Sequence, residues 1–520
     1  MISYIKAREG LEMERTGLAF LEDIFSTVEE AVRERLSVWL QMASAEEFRQ
    51  MEQEMAGVMR QAADEVTAAV LEQVTGDSTF EALTVAAALS SGRPMRRSGR
   101  REVKVTLLGG TTITLRQQQY VKPDLSSRPG PRRKPGKRGK SGVGYYPVLA
   151  ALGIEWGVTP ALAAEVARQV TASEAFRPAL EALKSRGIDL GYKPTLRIAS
   201  AFGQRAVRLR NEWVDEVHSG RARSAPVLRG KRVVVGIDGG RVRMCVFKRR
   251  GRWRKNGHRG FDTPWREPKL FVVYVINERG EIESTCRPVY DGTLDDSDAM
   301  FRTLAAYLKA LGAAEASEVI FLADGAAWIW NRISALAAEV GIPAAHIVEI
   351  VDWYHAVEYL GETAKQAGHW TERQRADWLK EAKTLLYQGR IDDLAAAICA
   401  LAVASGVEDI ADRAGYFTAH RDRMSYKAHK RKRRPVGSGA AESTIRRVIN
   451  LRLKGNSKFW REENAEGMLL LRSYLKAGRF DDLVAWSSSA GKKWWESLAW
   501  QDPLGLDAVT DPPTQSEKAA

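Results

Sequence analysis

The chain has 520 residues, and 79 Lys and Arg against 65 Asp and Glu give it a formal net charge of +14. With 44% hydrophobic and 28% charged residues, its composition is that of a globular protein and excludes collagen-like, disulfide-rich and wholly disordered chains. No apolar run reaches the ~18 residues of a membrane span, and the first residues lack the apolar stretch of a secretory signal. The three cysteines have no metal-binding spacing. We therefore expect a cytoplasmic protein with no membrane contact.

The charge is unevenly distributed along the chain. Residues 1–90 contain 7 basic and 17 acidic side chains, whereas residues 91–144 contain 15 Lys and Arg and only two acids. A basic excess beside Gly and Pro is typical of a segment that binds a polyanion. A solvated linker with no partner is the alternative.

The N-terminal part is predicted to be mostly helical. Ser44 and Glu47 have the spacing of a capping box and open a helix for packing or oligomerisation. Residues 102–108 and 111–116 predict two strands of a short hairpin. Residues 126–144, rich in Arg, Lys, Gly and Pro, are expected to form a flexible basic linker.

Three short helices are predicted at 160–170, 173–185 and 195–210. The last one contains Arg197, Arg205, Arg208 and Arg210. Three compact helices, the last with these arginines, could form a helix-turn-helix module that binds DNA. A purely structural bundle explains the same pattern.

From residue 231 onward, strands and helices alternate. Apolar runs predict strands at 231–238, 242–248, 269–277, 318–324 and 347–352, the first three forming an antiparallel meander. Helices are expected at 296–311, at 327–339 and from Trp353, with no strand in 356–415. This order is that of a ribonuclease H-like fold. We therefore predict an α/β protein with a mixed five-stranded sheet, flanking helices and an all-α insertion.

Acidic residues stand at the ends of two predicted neighbouring strands. Asp238 ends the first strand and Asp324 ends the fourth, so their carboxylates are candidates for a hard-cation site. Glu442, which opens a helix after the insertion, is the candidate third ligand. Two metal ions held there could cleave a phosphodiester. The alternative is that acids at strand ends only cap the following helices.

Four segments, in order, resemble bacterial insertion-sequence DDE transposases of the Kra type (ISKra), which are related to Mutator-like transposases. They are GIDGGRVRM (236–244), FLADGAAWIW (321–330), VDWYHAVEYL (351–360) and AAESTIRRVINLRLKGNSKFW (440–460). The resemblance covers roughly residues 145–490. It implies that Asp238, Asp324 and Glu442 bind two Mg²⁺ ions, for which Mn²⁺ can substitute. Relatives often have a cysteine-pair zinc element before the position of Tyr145-Tyr146-Pro147, and this chain has no cysteine there.

The resemblance implies a DNA transposase that cleaves DNA and joins the freed 3′ end to target DNA. Its partners would be the terminal inverted repeats of its element, target DNA and further copies of itself, in a homodimer or higher synaptic oligomer at the nucleoid. Two alternatives remain open. One is a two-metal nuclease or resolvase without strand transfer. The other is a domesticated, catalytically inactive DNA-binding protein, against which the intact acids argue.

Charge, composition and the predicted elements, together with the resemblance over 145–490, divide the chain into regions. The expected regions are an acidic helical region (1–90), a small β element with basic linker (91–144), a helical DNA-binding region (145–228), the ribonuclease H-like core (229–355), a helical insertion with a basic loop (356–436), the C-terminal part of the core (437–490) and a tail (491–520).

Further functional residues are expected around the acids. Asp352 and His355 match the D-x-x-H signature of Mutator-like relatives, and we expect the Asp352 carboxylate to accept a hydrogen bond from the imidazole and to support catalysis. Helix capping is the alternative for this pair. The acids Asp291, Asp295, Asp296 and Asp298 could bind a metal, but they are expected in a turn that caps a helix. The expected DNA contacts are Arg132, Arg133, Lys134, Lys137, Arg138, Lys140, Arg249, Arg250, Arg446, Arg447 and Lys454. Bases could stack on Trp253, Trp328 and Trp330, although core packing is the commoner role of such residues.

Overall fold

The computed structural model describes residues 15–90, 96–121, 144–222, 225–248 and 260–488. They divide into two units: the described residues up to Val170 with Ala175–Ala199, and Thr171–Glu174 with the described residues from Ser200. No helix in these ranges is both long enough and apolar enough to span a membrane. The linker cations at 132–140, Arg249, Arg250 and Trp253 lie outside the described residues.

Three helices open the first unit: α1 (Arg15–Trp39), α2 (Ala45–Gly76) and α3 (Ser78–Ser90). The capping box predicted for α2 is confirmed. The Glu47 amide donates to Ser44 Oγ at 3.2 Å, and the Ser44 amide donates to Glu47 Oε2 at 3.0 Å. Two amides at the start of the helix thereby gain partners.

A hairpin of two antiparallel strands, β1 (Arg96–Thr106) and β2 (Thr112–Val121), follows and is longer than predicted. Its turn is held by α2: the buried Asp64 carboxylate accepts hydrogen bonds from the amides of Gly109 and Thr111, both at 2.9 Å. A Cβ at Gly109 would lie 2.6 Å from Asp64, so the close approach requires glycine.

Four helices follow the hairpin, and the three predicted ones are confirmed. They are α4 (Pro147–Ala151), α5 (Pro160–Ala172), α6 (Phe176–Lys184) and α7 (Tyr192–His218). Helix α7 extends beyond the predicted 195–210. Its extra turns contain the buried Trp213 and Val214, and packing of this apolar face stabilises the extension.

The second unit is built on a five-stranded mixed sheet, as predicted. Four of its strands match predicted ones: β3 (Arg232–Gly239), β8 (Lys269–Ile276), β10 (Glu318–Ala323) and β11 (Ile347–Val351). The fifth is β9 (Val289–Thr293), and the order across the sheet is β11-β10-β3-β8-β9. Strand β10 is parallel to both β3 and β11, whereas β8 is antiparallel to its two neighbours, β3 and β9.

The predicted strand 242–248 was wrong. This stretch forms two two-residue strands outside the main sheet, β4 (Val242–Arg243) and β5 (Val246–Phe247). Their partners are β7 (Trp265–Arg266) and β6 (Phe261–Asp262) respectively. The third antiparallel strand is instead β9, where a turn around Asp291 was predicted.

A buried ionic network explains how Asp291 can lie inside β9. Arg210 of α7, 3% exposed, donates to Asp291 Oδ1 at 3.0 Å and to Glu466 Oε1 at 2.9 Å. The Tyr307 hydroxyl donates to Asp291 Oδ2, also at 3.0 Å. Burial raises the pKa of Asp291 and opposes the charge on Arg210, but the carboxylates raise the Arg210 pKa. Of the four arginines noted on this helix, Arg210 is therefore buried in an ionic network.

Helices flank the sheet, and further helices form the predicted insertion. Those beside the sheet are α8 (Ser297–Ala310), which Asp296 caps as predicted, and α9 (Ala327–Val340). The described insertion contains no strand, and its helices are α10 (Trp353–Gln366), α11 (Glu372–Gln388), α12 (Ile391–Ser405), α13 (Asp409–Asp412), α14 (Ala414–Ala419) and α15 (Tyr426–Arg431).

The chain then returns to the sheet in three helices. Helix α16 (Gly439–Ile445) packs against β3 and β8 and continues into a wider π-helical turn, Arg446–Asn450. Helix α17 (Glu462–Lys476) packs against β9, and α18 (Phe480–Ser488) follows it. The helix predicted from about Ala441, which includes Glu442, is therefore present as α16.

Candidate active site

Asp238 and Asp324 lie side by side at one edge of the sheet. Ile237 of β3 pairs in parallel with Ala323 of β10, and each acid is the next residue of its strand. Neighbouring strands run about 4.8 Å apart, so the two acids follow one another across the sheet at that spacing. Both residues are half-buried. The predicted juxtaposition of these two strand ends is confirmed.

Each of these carboxylates also makes a local hydrogen bond. Asp238 Oδ1 accepts from the Gly239 amide at 2.7 Å, and Asp324 Oδ1 accepts from the Ala326 amide at 3.0 Å. Capping of the chain after each strand is thus real. This capping does not by itself account for two adjacent acids.

Asp352 extends the same row but has a different environment. Ala323 pairs with Val351, which places Asp352 beside Asp324. The Asp352 carboxylate is fully buried and accepts hydrogen bonds from two backbone amides, that of His355 at 2.9 Å and that of Ser438. Asp352 is the N-cap of α10.

The expected hydrogen bond from the His355 imidazole to Asp352 is therefore replaced by one from the His355 backbone. The imidazole is 36% exposed, and its Nδ1 lies 3.9 Å from Glu358 Oε2. A residue at the third position of a helix offers its amide to the cap, and its side chain points away from the capping oxygen. Capping, the alternative weighed for this pair, describes Asp352.

The Asp352 carboxylate also fixes the start of α16. The Trp353 amide donates to the Val436 carbonyl at 2.8 Å, and the Ser438 amide binds Asp352 immediately before the helix begins. Helix α16 then packs against β3, the strand that ends at Asp238. These contacts bring the backbone of Glu442 to the same unit as Asp238 and Asp324; the Glu442 side chain is outside the described part.

Two adjacent carboxylates suit a hard divalent cation, which prefers oxygen ligands and retains several waters. Among the described side chains, no three His, Cys, Asp or Glu residues gather into a metal-binding group. Asp238 and Asp324 supply two ligands of the right chemistry, and the position of the Glu442 carboxylate decides whether there is a third.

Two residues that the sequence analysis missed lie against Asp324. Gly325 faces Tyr416, whose ring a Cβ at position 325 would meet at 2.2 Å, and His420 Nε2 lies 3.2 Å from the Gly325 carbonyl. Burial and the charge of Asp324 raise the Tyr416 pKa, while burial and Arg423 lower that of His420. Their i, i+4 spacing was visible in the sequence, but nothing in it linked α14 to β10.

The tryptophans near Asp324 pack into the structure. Trp330 is buried, its indole N–H donates to the Asp324 carbonyl at 2.7 Å, and the Arg423 guanidinium lies 4.8 Å from its ring. Trp328 is half-buried against Phe301. Core packing, the alternative weighed for these residues, describes both.

Some of the cations that follow Glu442 are exposed, and others are buried. Arg446 and Lys454 are exposed, and Arg447 is half-buried with its Nε donating to the Ser443 carbonyl at 3.2 Å. Arg452 is buried, with its guanidinium 5.2 Å from the Trp460 ring. These cations therefore do not share one exposed helix face, because the π-helical turn changes the angular spacing after Ile445.

Comparisons of the chain with protein-family models, with curated proteins and with solved structures found no match.

Proposed function

We propose that this protein is a DNA transposase that cleaves and joins DNA strands by a metal-dependent DDE mechanism. The observation that supports it most is the parallel register of β3 and β10, which puts Asp238 beside Asp324. Acids at adjacent strand ends, with a third acid on a helix packed against one of those strands, form a plausible site for phosphoryl transfer.

The strand arrangement supports a ribonuclease H-like core as part of this proposal. Three antiparallel strands, β3, β8 and β9, are followed by β10 and β11, which add in parallel on the other side of β3. The connections between β9, β10 and β11 are the helical crossovers α8 and α9. A helix-turn-helix module formed by α5 to α7 is also part of this proposal.

In this proposal Asp238, Asp324 and Glu442 hold Mg²⁺ or Mn²⁺. Two such ions, when bound, would activate an attacking hydroxyl and stabilise the leaving oxygen of a phosphodiester. Asp352 is a positioning residue that fixes the start of α16 through the Ser438 amide. Tyr416 and His420 occupy the space beside Gly325, so they exclude water from that side of Asp324.

DNA is the proposed partner, in the form of terminal inverted repeats and target duplex. The exposed cations Arg446 and Lys454 follow α16, and the cations at 132–140 and at 249–250 would add further phosphate contacts. Because two element ends must be brought together, we propose that the active form is a dimer or a larger oligomer.

The test is strand cleavage and strand transfer with Mg²⁺. An end-labelled duplex from the flanks of the gene is incubated with supercoiled target DNA and the full chain, with Mg²⁺, with Mn²⁺ or with EDTA. The proposal expects nicking with either metal and a joined product that migrates more slowly than the labelled duplex.

The outcomes separate the three functions weighed. Nicking without a joined product would replace transposase by nuclease. Binding with neither reaction, in Mg²⁺ and in Mn²⁺, would leave a DNA-binding protein and overturn the proposal.

A further inference from the structure

The basic segment between α14 and α16 is held rigidly against the sheet. The Arg423 Nε donates to Glu349 Oε2 at 2.5 Å, and the Tyr426 hydroxyl donates to the Val351 carbonyl at 3.0 Å, so both bind β11. Met424, Tyr426 and His429 are buried. One face of the short helix α15 is therefore fully packed.

The far end of the segment is fixed at the opposite edge of the sheet. Arg434 Nε donates to Glu318 Oε1 at 2.8 Å, where β10 begins. The Lys432 carbonyl accepts from Arg232 Nη2 at 3.0 Å, where β3 begins. The Arg433 carbonyl lies so close to Gly280 that a Cβ there would meet it at 2.2 Å. The inward arginines thus serve as structural anchors.

Most exposed residues of α15 and of the turn after it are cationic. Between Lys427 and Arg433 there is no acid, and six residues are exposed: Ala428 and five cations. None of these five forms an ion pair with a described carboxylate. We call this surface the α15 patch: Lys427, Lys430, Arg431, Lys432 and Arg433. The neighbouring turn adds two acids, Glu278 and Glu281, and one cation, Arg279. The five cations of the patch outnumber these acids, so the surface remains strongly cationic.

We propose that the α15 patch binds the phosphate backbone of a DNA duplex, away from the cleavage site. Its cations are clustered and rigidly mounted, and a duplex presents one phosphate charge per about 1.7 Å of axis. The patch includes no exposed aromatic ring, since Tyr426 is buried, and binding of single strands relies on such rings. The identity of the polyanion as DNA rests on the proposed function.

The Lys432–Arg433 end of the patch is separated from the acids. It reaches the edge at which β3 and β10 begin, and the acids stand where the two strands end. Because β10 has six residues at about 3.3 Å each, the two edges are roughly 20 Å apart. The patch therefore contacts duplex several base pairs from the scissile phosphate, or a second duplex.

Two variants, each of which loses four positive charges, test whether the α15 patch binds duplex DNA. The first replaces Lys430, Arg431, Lys432 and Arg433 by Gln, and the control replaces Arg373, Arg375, Lys380 and Lys383 of α11 by Gln. Affinity of the full chain for a 40-base-pair duplex of random sequence is measured between about 50 and 200 mM salt.

We expect the patch variant to bind at least tenfold more weakly, and its slope of log K against log salt to fall by about 3–4, at roughly 0.9 per lost contact. The control should stay within about half a unit of the wild-type slope, and both variants should melt at the wild-type temperature. An unchanged slope in a folded patch variant, or equal losses in the two variants, would overturn the inference.

Binding to single-stranded DNA and cleavage by the wild-type chain distinguish the remaining outcomes. If the patch variant loses affinity for oligo-dT as strongly as for duplex, the surface is not a duplex site and the inference fails. A wild-type chain that binds duplex through the patch but cleaves in neither Mg²⁺ nor Mn²⁺ overturns only the proposed function. A chain that cleaves while its patch variant binds normally overturns only the inference.

Discussion

Asp352 and His355 show how two residues of one short motif acquire different roles. The Asp352 carboxylate is buried and binds two amides from different segments, so it acts on the backbone around it. The His355 imidazole is partly exposed and lies near Glu358. The sequence could place both at a helix start, but it could not reveal that the amide of Ser438, 86 residues later, is the second partner.

This difference predicts unequal losses of stability. Asp352→Ala removes a helix cap and leaves the buried Ser438 amide without its acceptor, which should cost about 2–4 kcal/mol. His355→Ala should cost less than about 0.5 kcal/mol, as for other exposed side chains. Urea unfolding of both variants measures the two values. Equal losses would contradict the assigned role of Asp352.

Stability does not report on the catalytic role expected for His355. If the imidazole supports strand cleavage, His355→Ala should lower the cleavage rate tenfold or more, which is about 1.4 kcal/mol in the barrier. Cleavage at the wild-type rate by the folded variant would remove His355 from the site.

Among the strands, the sequence predicted those with continuous apolar runs and missed the one with a buried acid. Strands β3, β8, β10 and β11 are bounded within about two residues of their predicted ends. Strand β9 was read as a turn because of its Asp-Gly pair. Its identity depends on Arg210, which is 81 residues away and neutralises Asp291.

The Arg210 network predicts a large effect from one substitution. Arg210→Met leaves the buried Asp291 and the partly buried Glu466 without their cation and should lower the free energy of unfolding by about 3–5 kcal/mol. Arg208→Met, at an exposed position two residues earlier on α7, should change it by less than about 0.5 kcal/mol. Chemical denaturation compares them. A loss below 1 kcal/mol for Arg210→Met would mean that the network does not stabilise β9.

The anchored face of α15 predicts a pH dependence. Burial and the nearby Arg434 lower the pKa of His429 to about 4 from an ordinary 6.5, and its Nε2 has no hydrogen-bond partner among the described residues. The unfolded chain therefore binds this proton at higher pH than the folded chain. The stabilisation is complete above about pH 6.5 and is lost as pH falls towards 4.

The free energy of unfolding, measured at several pH values, checks this pH dependence. Between pH 7 and pH 4 the wild-type chain should lose on the order of 3 kcal/mol more than His429→Gln. The exposed His369→Gln serves as the control and should follow the wild-type curve. If His429→Gln also follows it, His429 does not set the acid sensitivity.

At the scale of the whole chain, charge and hydropathy indicated a helical acidic N-terminal region and a mixed α/β part, and both are present in the described residues. The order of the strands could also be predicted, because the apolar runs that end in acids were easy to recognise in the sequence. It could not foresee the inward anchoring of the basic segment 421–434, since ion pairs with Glu318 and Glu349 depend on tertiary contacts.

The central claim is that Asp238, Asp324 and Glu442 act together in DNA cleavage, and Mg²⁺-dependent nicking by single variants tests it most directly. Asp238→Asn, Asp324→Asn and Glu442→Gln each remove one ligand charge and preserve side-chain size, so each should lower nicking by about 100-fold or more with duplex affinity nearly unchanged. Asp295→Asn, at an exposed acid before α8, should nick like the wild type. Near-wild-type nicking by any of the three site variants would contradict the account.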